Sequence, residues 1–274
     1  MDGKRVLITG GNSGIGIVTA RELAKQGAEV VLACRDSEKT SAALGVINAD
    51  ARIPAVNLPV ELASLQSVRD LAATFLERYD RLDVLLNNAG LFPPKQHMTE
   101  DGFEMQFGVN HLAPFLLTNL LLDCLKASAP SRVVTVASTL HKKGKVELDA
   151  VRGYDKYSSQ AAYNNSKLYN VMFAMELAER LQGTGVTSNV LHPGAVATDI
   201  VRDLPWLARK IIGFLFIDPE KGALTNIMLA SDPELAEVSG QYYDQCEVAT
   251  YARDADDAAL RKQLWDLSAE LVGL

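Results

Sequence analysis

The eight residues Thr9 to Gly16, TGGNSGIG, constrain the fold more than any other stretch of this chain. They follow a short apolar run, Lys4 to Thr9 (KRVLIT), and open into a helical pattern from about Gly14 to Gln26. Glycines 10, 14 and 16 leave room for a tight turn, for a backbone approaching a pyrophosphate, and for close helix–strand contact. A helix starting there offers free N–H groups and the positive end of its dipole to a phosphate. The candidate nucleotide contacts are therefore Gly10, Asn12, Ser13, Gly14, Ile15 and Gly16. The plainer alternative is a tight strand–helix turn with no ligand.

The same alternation continues along the chain. Ala28 to Cys34 is an apolar run followed by a helix near Ser37 to Asn48, and Arg52 to Leu58 leads to a helix over Ser64 to Arg78. Leu82 to Asn88 leads to helices around Thr99 to Lys126, while Ser131 to Ser138 and Val186 to His192 flank a helix over Tyr163 to Leu181. Continuous apolar strands alternating with helices predict a parallel sheet covered on both faces. Right-handed crossovers make it a single-domain, doubly wound α/β fold of the Rossmann type, with about seven strands and ligands beyond their carboxyl ends. No repeat or linker divides residues 1–274. The apolar stretch at about 199–217 reads as a lid, with Trp206, Leu207, Ile211, Phe214 and Leu215 on one face.

Composition excludes several partners. A formal net charge of −7 does not suit nucleic acid or an anionic membrane. Cys34, Cys124 and Cys246 lie far apart, as expected of reduced thiols, and the scattered His97, His111, His141 and His192 predict no metal site. Leu112 to Leu125 is too short and too polar to span a bilayer and reads as a buried helix. The chain enters a strand with no charged-then-apolar leader, so no signal peptide is expected.

Two further local features point to chemistry. The second strand ends LACRD, where a preference for NAD would usually place a carboxylate on the ribose 2′-hydroxyl. Here Cys34 is followed by Arg35, whose guanidinium suits a 2′-phosphate, although a surface arginine paired with Asp36 would read the same way. Tyr163 and Lys167 stand four apart at the front of a helix, so they share a face. A nearby ammonium would favour the phenolate, an oxidised nicotinamide would add a second positive charge, and a lowering of about 3 units would bring the phenol near working pH. Taken alone, the pair could equally be a polar helix end. His141 reads as a residue of the pocket rim.

In order, TGxxxGxG, the NNAG of Asn87 to Gly90, a serine closing the fifth strand, YxxxK and HPG resemble the short-chain dehydrogenase/reductase family along nearly the whole chain. LACRD, NHLAPFLLTNLL, SRVVTVAS, YNNSKLYN and VLHPGAVATD look most like its retinol dehydrogenase-like branch, which includes membrane-anchored retinoid enzymes and soluble relatives. The resemblance implies Tyr163 as general acid/base, Lys167 as its electrostatic partner, Ser138 holding the substrate oxygen, and Asn110 anchoring a water in the proton relay. It implies that Asn88, Ala89 and Gly90 line the adenosine side, that Glu61 and Leu62 contact adenine, and that Pro193, Gly194, Val196 and Thr198 lie against the nicotinamide. Pro114 should kink or restart the helix after Asn110.

The expected activity is hydride transfer between NADP(H), with NAD(H) the alternative, and an apolar ketone, aldehyde or secondary alcohol. The expected protein is cytoplasmic, with a small-molecule substrate and no nucleic-acid partner or membrane span. A homodimer or homotetramer would pair the helices Leu112 to Lys126 and Tyr163 to Leu181. The rival class is a catalytically silent NADP-binding sensor or scaffold, which would be expected to lose the tyrosine or lysine.

Overall fold

The computed structural model describes residues 1–194 and 218–274. The expected lid at 199–217 and the candidate contacts Val196 and Thr198 lie outside them. The chain runs β1 (Arg5–Thr9), α1 (Gly14–Lys25), β2 (Glu29–Cys34), α2 (Glu38–Asn48), β3 (Val56–Pro59), α3 (Leu65–Arg78) and β4 (Val84–Asn87). After α4 (Met105–Phe107) and a π-helical turn (Gly108–Leu112) come α5 (Ala113–Leu120), α6 (Leu122–Ala127), β5 (Ser131–Val136), α7 (Ser159–Arg180) and β6 (Val186–His192). The last elements are α8 (Pro219–Ser231), β7 (Tyr242–Asp244), β8 (Glu247–Val248) and α9 (Ala258–Val272).

These strands form one sheet in the order β3-β2-β1-β4-β5-β6-β7-β8. β1 pairs in parallel with both β2 and β4, so the chain reverses its direction of travel across the sheet there. That reversal opens a crevice beyond the strand ends, where such sheets bind ligands. The eighth strand, β8, is antiparallel to β7 and was not expected. Two residues carry no alternation to read, and the intervening turn bends through Gln245 (φ 50) and Cys246 (φ 66). β3 begins at Val56 rather than Arg52. The Asn48 side chain binds both backbone groups of Ala55 at 2.7 and 3.2 Å, withdrawing them from the ladder.

Alternation within each strand builds two cores. Val6, Ile8, Val30, Leu32 and Leu86 face α1, α2 and α8, whereas Leu7, Val31, Leu85 and Val133 face α3, α5, α7 and α9. Each fully buried large apolar side chain contributes about 1.5–3 kcal/mol relative to exposure. The apolar stretch from Leu112 is indeed core, and no helix among the described residues is long and apolar enough to cross a membrane.

The proline expected to disturb this helix does so one turn earlier. Pro114 has no N–H to give the Asn110 carbonyl. The chain widens instead, and the Ala113 N–H reaches back five residues to the Gly108 carbonyl. On the same turn His111 is fully buried among Phe107, Phe115, Tyr169 and Phe173, with Nε2 2.9 Å from the Ser268 hydroxyl of α9. The Trp265 ring stacks on Phe173 at 5.9 Å and meets Phe115 at 4.9 Å, while Arg180 lies over it. Within one chain, α9 thus covers faces of α5 and α7.

Burial pushes His111 from 6.5 down to about 3. It is neutral in the folded protein and must lose that state on protonation. Its stabilising contribution is complete above pH 6.5 and is lost, by about 1.4 kcal/mol per pH unit, as pH falls toward 3. His192, pushed down to about 4 by burial, acts in the same direction. Urea unfolding between pH 6.5 and 4 should therefore show a shallower pH slope for His111→Gln by about one proton. An unchanged slope would rule out His111 as a titrating group.

Candidate active site

The glycine turn places Gly10 (φ 65) and Gly14 (φ 53) in the left-handed region. A Cβ on Gly16 would lie 2.3 Å from the Gly10 carbonyl oxygen and 2.7 Å from the Asn88 Nδ2. The turn is therefore closed around Gly16 by backbone. Side chains cap α2, α3, α7, α8 and α9, but Ser13, at the start of α1, makes no such bond. The N-terminal N–H groups of α1 are left to face the crevice without a side-chain cap, as a pyrophosphate-binding helix requires. Asn12 is turned elsewhere, its Nδ2 donating to the Thr40 hydroxyl at 2.9 Å.

A second loop holds the first. Asn88 donates to the carbonyls of Thr9 (2.9 Å) and Gly10 (3.2 Å), and the Thr9 hydroxyl accepts from the N–H groups of Asn88 and Ala89. The Asn88 amide is thus engaged in holding the glycine turn. Below the turn lies the buried Cys34 side chain, whose thiol is pushed up by burial while the backbones of Gly10, Gly11 and Asn12 act in the opposite sense. Thr9 is a positioning residue that the glycine pattern alone did not reveal.

At the end of β2, Arg35 is largely exposed and stands 3.7 Å from Glu61, not paired with Asp36. Glu61 also accepts the Ala63 N–H at 3.1 Å, so it caps its own turn, while Leu62 packs against the core. At the end of β4, a Cβ on Gly90 would lie 3.2 Å from the Lys167 Nζ and 3.5 Å from the Asn110 Oδ1. The absence of a side chain there lets these residues meet. Asn110 is locked from both sides: its Oδ1 accepts the Leu91 N–H, and its Nδ2 donates to the Leu91 carbonyl and the Ser166 hydroxyl.

Ser138, just past β5, faces Tyr163 on the first turns of α7, near enough for its hydroxyl to act against the effect of burial on the phenol, and accepts the Leu140 N–H at 3.3 Å. Lys167, fully buried, donates to the Val136 carbonyl at 3.0 Å, and its Nζ lies 5.8 Å from the centre of the Tyr163 ring. In the protein alone, burial pushes Tyr163 up to about 12, with Ser138 acting in the opposite sense, and pushes Lys167 down to about 8. Phe92, from the loop after β4, leans on Tyr163 with ring centres 4.8 Å apart. Pro193 and Gly194 (φ 83) follow β6 at the same edge. His141 is not on a rim: it is fully buried behind Ser138.

The short chain dehydrogenase family matches residues 4–206, a span that includes the glycine turn, Ser138, Tyr163 and Lys167. The chain belongs to this family. Among its relatives, human retinol dehydrogenase 14 is 45% identical over all of this chain and 88% of its own length. Human retinol dehydrogenase 13 is 46% identical over 99% of this chain and 85% of its own. An uncharacterized protein from Mycobacterium paratuberculosis superposes with a TM-score of 0.79 at 34% identity, covering 99% of this chain and 94% of that one. The RhlG/NADP active-site complex of Pseudomonas aeruginosa gives 0.72 at 25% identity, covering 89% and 95%. This short-chain dehydrogenase is therefore retinol dehydrogenase-like, an oxidoreductase that moves hydride between a nicotinamide nucleotide and an alcohol/carbonyl pair.

Proposed function

We propose that this short-chain dehydrogenase uses NADP(H) to interconvert an apolar ketone or aldehyde with its alcohol, with Tyr163 as general acid/base. The observation that carries the reading is the meeting of Ser138, Tyr163 and Lys167 beside Gly90 and Asn110, all but Gly90 buried. A bound nicotinamide supplies the hydride and, when oxidised, a positive charge. The chain supplies the rest. In reduction, Tyr163 gives its proton to the carbonyl oxygen and Ser138 hydrogen-bonds that oxygen as its charge grows. Lys167 stabilises the phenolate left behind, and Asn110 holds the turn beside it. Low solvent access at Tyr163 strengthens each of these interactions.

Phe92 supports an apolar substrate, since its ring forms a wall directly against the phenol. The relatives named for retinol favour the same class. Support for NADP(H) comes from the end of β2, where a buried cysteine replaces a carboxylate and Arg35 is exposed enough to exchange Glu61 for a 2′-phosphate. Gly10, Ser13, Gly14, Ile15 and Gly16 would hold the pyrophosphate, and Pro193, Gly194, Val196 and Thr198 the nicotinamide side.

The test is turnover of retinal, nonanal and aromatic ketones with NADPH and NADH, followed by absorbance. NADPH should be preferred. Arg35→Asp should lower that preference by about tenfold or more, because one favourable charge contact becomes a repulsion. An unaltered preference would mean that the 2′-phosphate is read elsewhere.

A further inference from the structure

We propose that His141 is a positioning residue for Ser138, clamping the serine's peptide from behind through one fixed tautomer. The inference rests on the hydride-transfer reading and adds to it a residue outside the reacting groups. Ser138 stands where β5 has ended and a short 3-10 turn, Thr139–Lys143, begins. Its hydroxyl position depends on how that transition is held. On one side, the Ala137 N–H donates to the Leu191 carbonyl of β6 at 2.7 Å. On the other, the Ser138 carbonyl accepts two bonds from His141: its backbone N–H at 3.0 Å and its ring Nδ1 at 2.6 Å.

The ring's other nitrogen settles the proton's place. Nε2 accepts the Ala252 N–H at 3.1 Å, so it carries no hydrogen. Nδ1 faces a carbonyl, which can only accept, so it must carry one. Neither partner can exchange roles, and the neutral Nδ1–H imidazole is the one form that satisfies both. Burial, and to a lesser degree the neighbouring Lys142, act against a second proton and outweigh the Ser138 carbonyl, while the Tyr242 ring packs 4.9 Å away. His141 therefore ties the serine's peptide to the segment that leads from β8 into α9.

The loop is also pressed against α7, which carries Tyr163. A Cβ on Gly144 would lie 2.6 Å from the Asn164 carbonyl oxygen and 2.9 Å from the Leu168 Cβ. Sideways movement is thus blocked by α7, and His141 sets the remaining coordinate, the rotation of the Ser138 peptide. A misplacement of about 1 Å at a substrate-positioning group can lower turnover by about 100-fold.

Asparagine and glutamine separate the two ring nitrogens. His141→Asn retains a donor at the Nδ1 position, whereas His141→Gln retains an acceptor near the Nε2 position. We expect the Asn variant to keep kcat within about threefold, and the Gln variant to lose about 10- to 100-fold in kcat with little change in KM for NADPH. Melting temperature and NADPH binding, followed by fluorescence, report folding in both. In a Ser138→Ala background, His141→Gln should cost no further kcat, because the group it positions is gone. Equal losses in the Asn and Gln variants, no loss in either, or an undiminished loss in the Ser138→Ala background would each overturn the proposal. Failure of the underlying reading would look different: the wild type would turn over none of the carbonyls, or Tyr163→Phe would remain active.

Discussion

Tyr163→Phe should lower kcat by at least about 100-fold and up to about 10,000-fold, with NADPH affinity within about threefold of wild type. The substitution removes one hydroxyl from a buried position and keeps the ring that packs on Phe92. Without the hydroxyl, a carbonyl accepting hydride has no adjacent acid for its oxygen. Ser138 can hydrogen-bond the developing charge, yet its own hydroxyl is far too weakly acidic to complete the transfer. The phenol, pushed up to about 12 by burial, is fully protonated at neutral pH in the protein alone, which suits the reductive direction. Nucleotide affinity should survive because the glycine turn and Asn88 lie at the other end of the crevice. Steady-state kinetics on an aldehyde, with NADPH fluorescence titration alongside, check both halves. Wild-type kcat in the Phe variant would remove Tyr163 from the chemistry.

Gly16→Ala should be the most damaging single methyl in the crevice. The added carbon would sit 2.3 Å from the Gly10 carbonyl oxygen, which belongs to the backbone and cannot rotate away. Relief requires the turn to open, which breaks the Asn88 bonds to Thr9 and Gly10 and moves the free N–H groups of α1. An overpacked site of this kind costs about 1–3 kcal/mol. NADPH affinity should fall by about 100-fold, since an anion site made of backbone N–H groups has no other way to adjust. Gly45→Ala is the control. Its Cβ would meet nothing within 4 Å in α2, so helix propensity should make it neutral or stabilising by up to about 1 kcal/mol. Urea midpoints and NADPH titrations distinguish the two. A Gly16→Ala protein that binds NADPH normally would mean the turn is softer than its contacts indicate.

Much of this arrangement was legible in the residues. Of the first six strands, all but the half-exposed edge strand β3 follow from apolar runs, because strands buried on both faces need no partner to declare themselves. The glycine turn is equally local: its backbone angles and close approaches belong to residues adjacent in sequence. Tyr163 and Lys167 could be paired from helical spacing alone. What escaped is long-range. β7 and β8 are too short for a pattern and exist because β6 offers an edge. His141 could not be placed from a lone histidine in a polar loop, since its burial depends on Ala252 and Tyr242, more than a hundred positions away. The burial that raises the Tyr163 phenol in the protein alone is equally long-range. Spacing brings an ammonium near, but the sequence does not report how little water remains.

Helix α9 also has a meaning for the order in which the protein is made. Phe115, His111 and Phe173 belong to elements synthesised long before Trp265 and Ser268, which complete their enclosure. Until those residues have left the ribosome, a nascent chain carries an aromatic face with nothing of its own to set against it. Such a face is a binding site for chaperones and a risk for association between chains. Enclosure of His111, Phe115 and Phe173 therefore waits for α9, whereas Asn110 on the same turn already has its partners in Leu91 and Ser166.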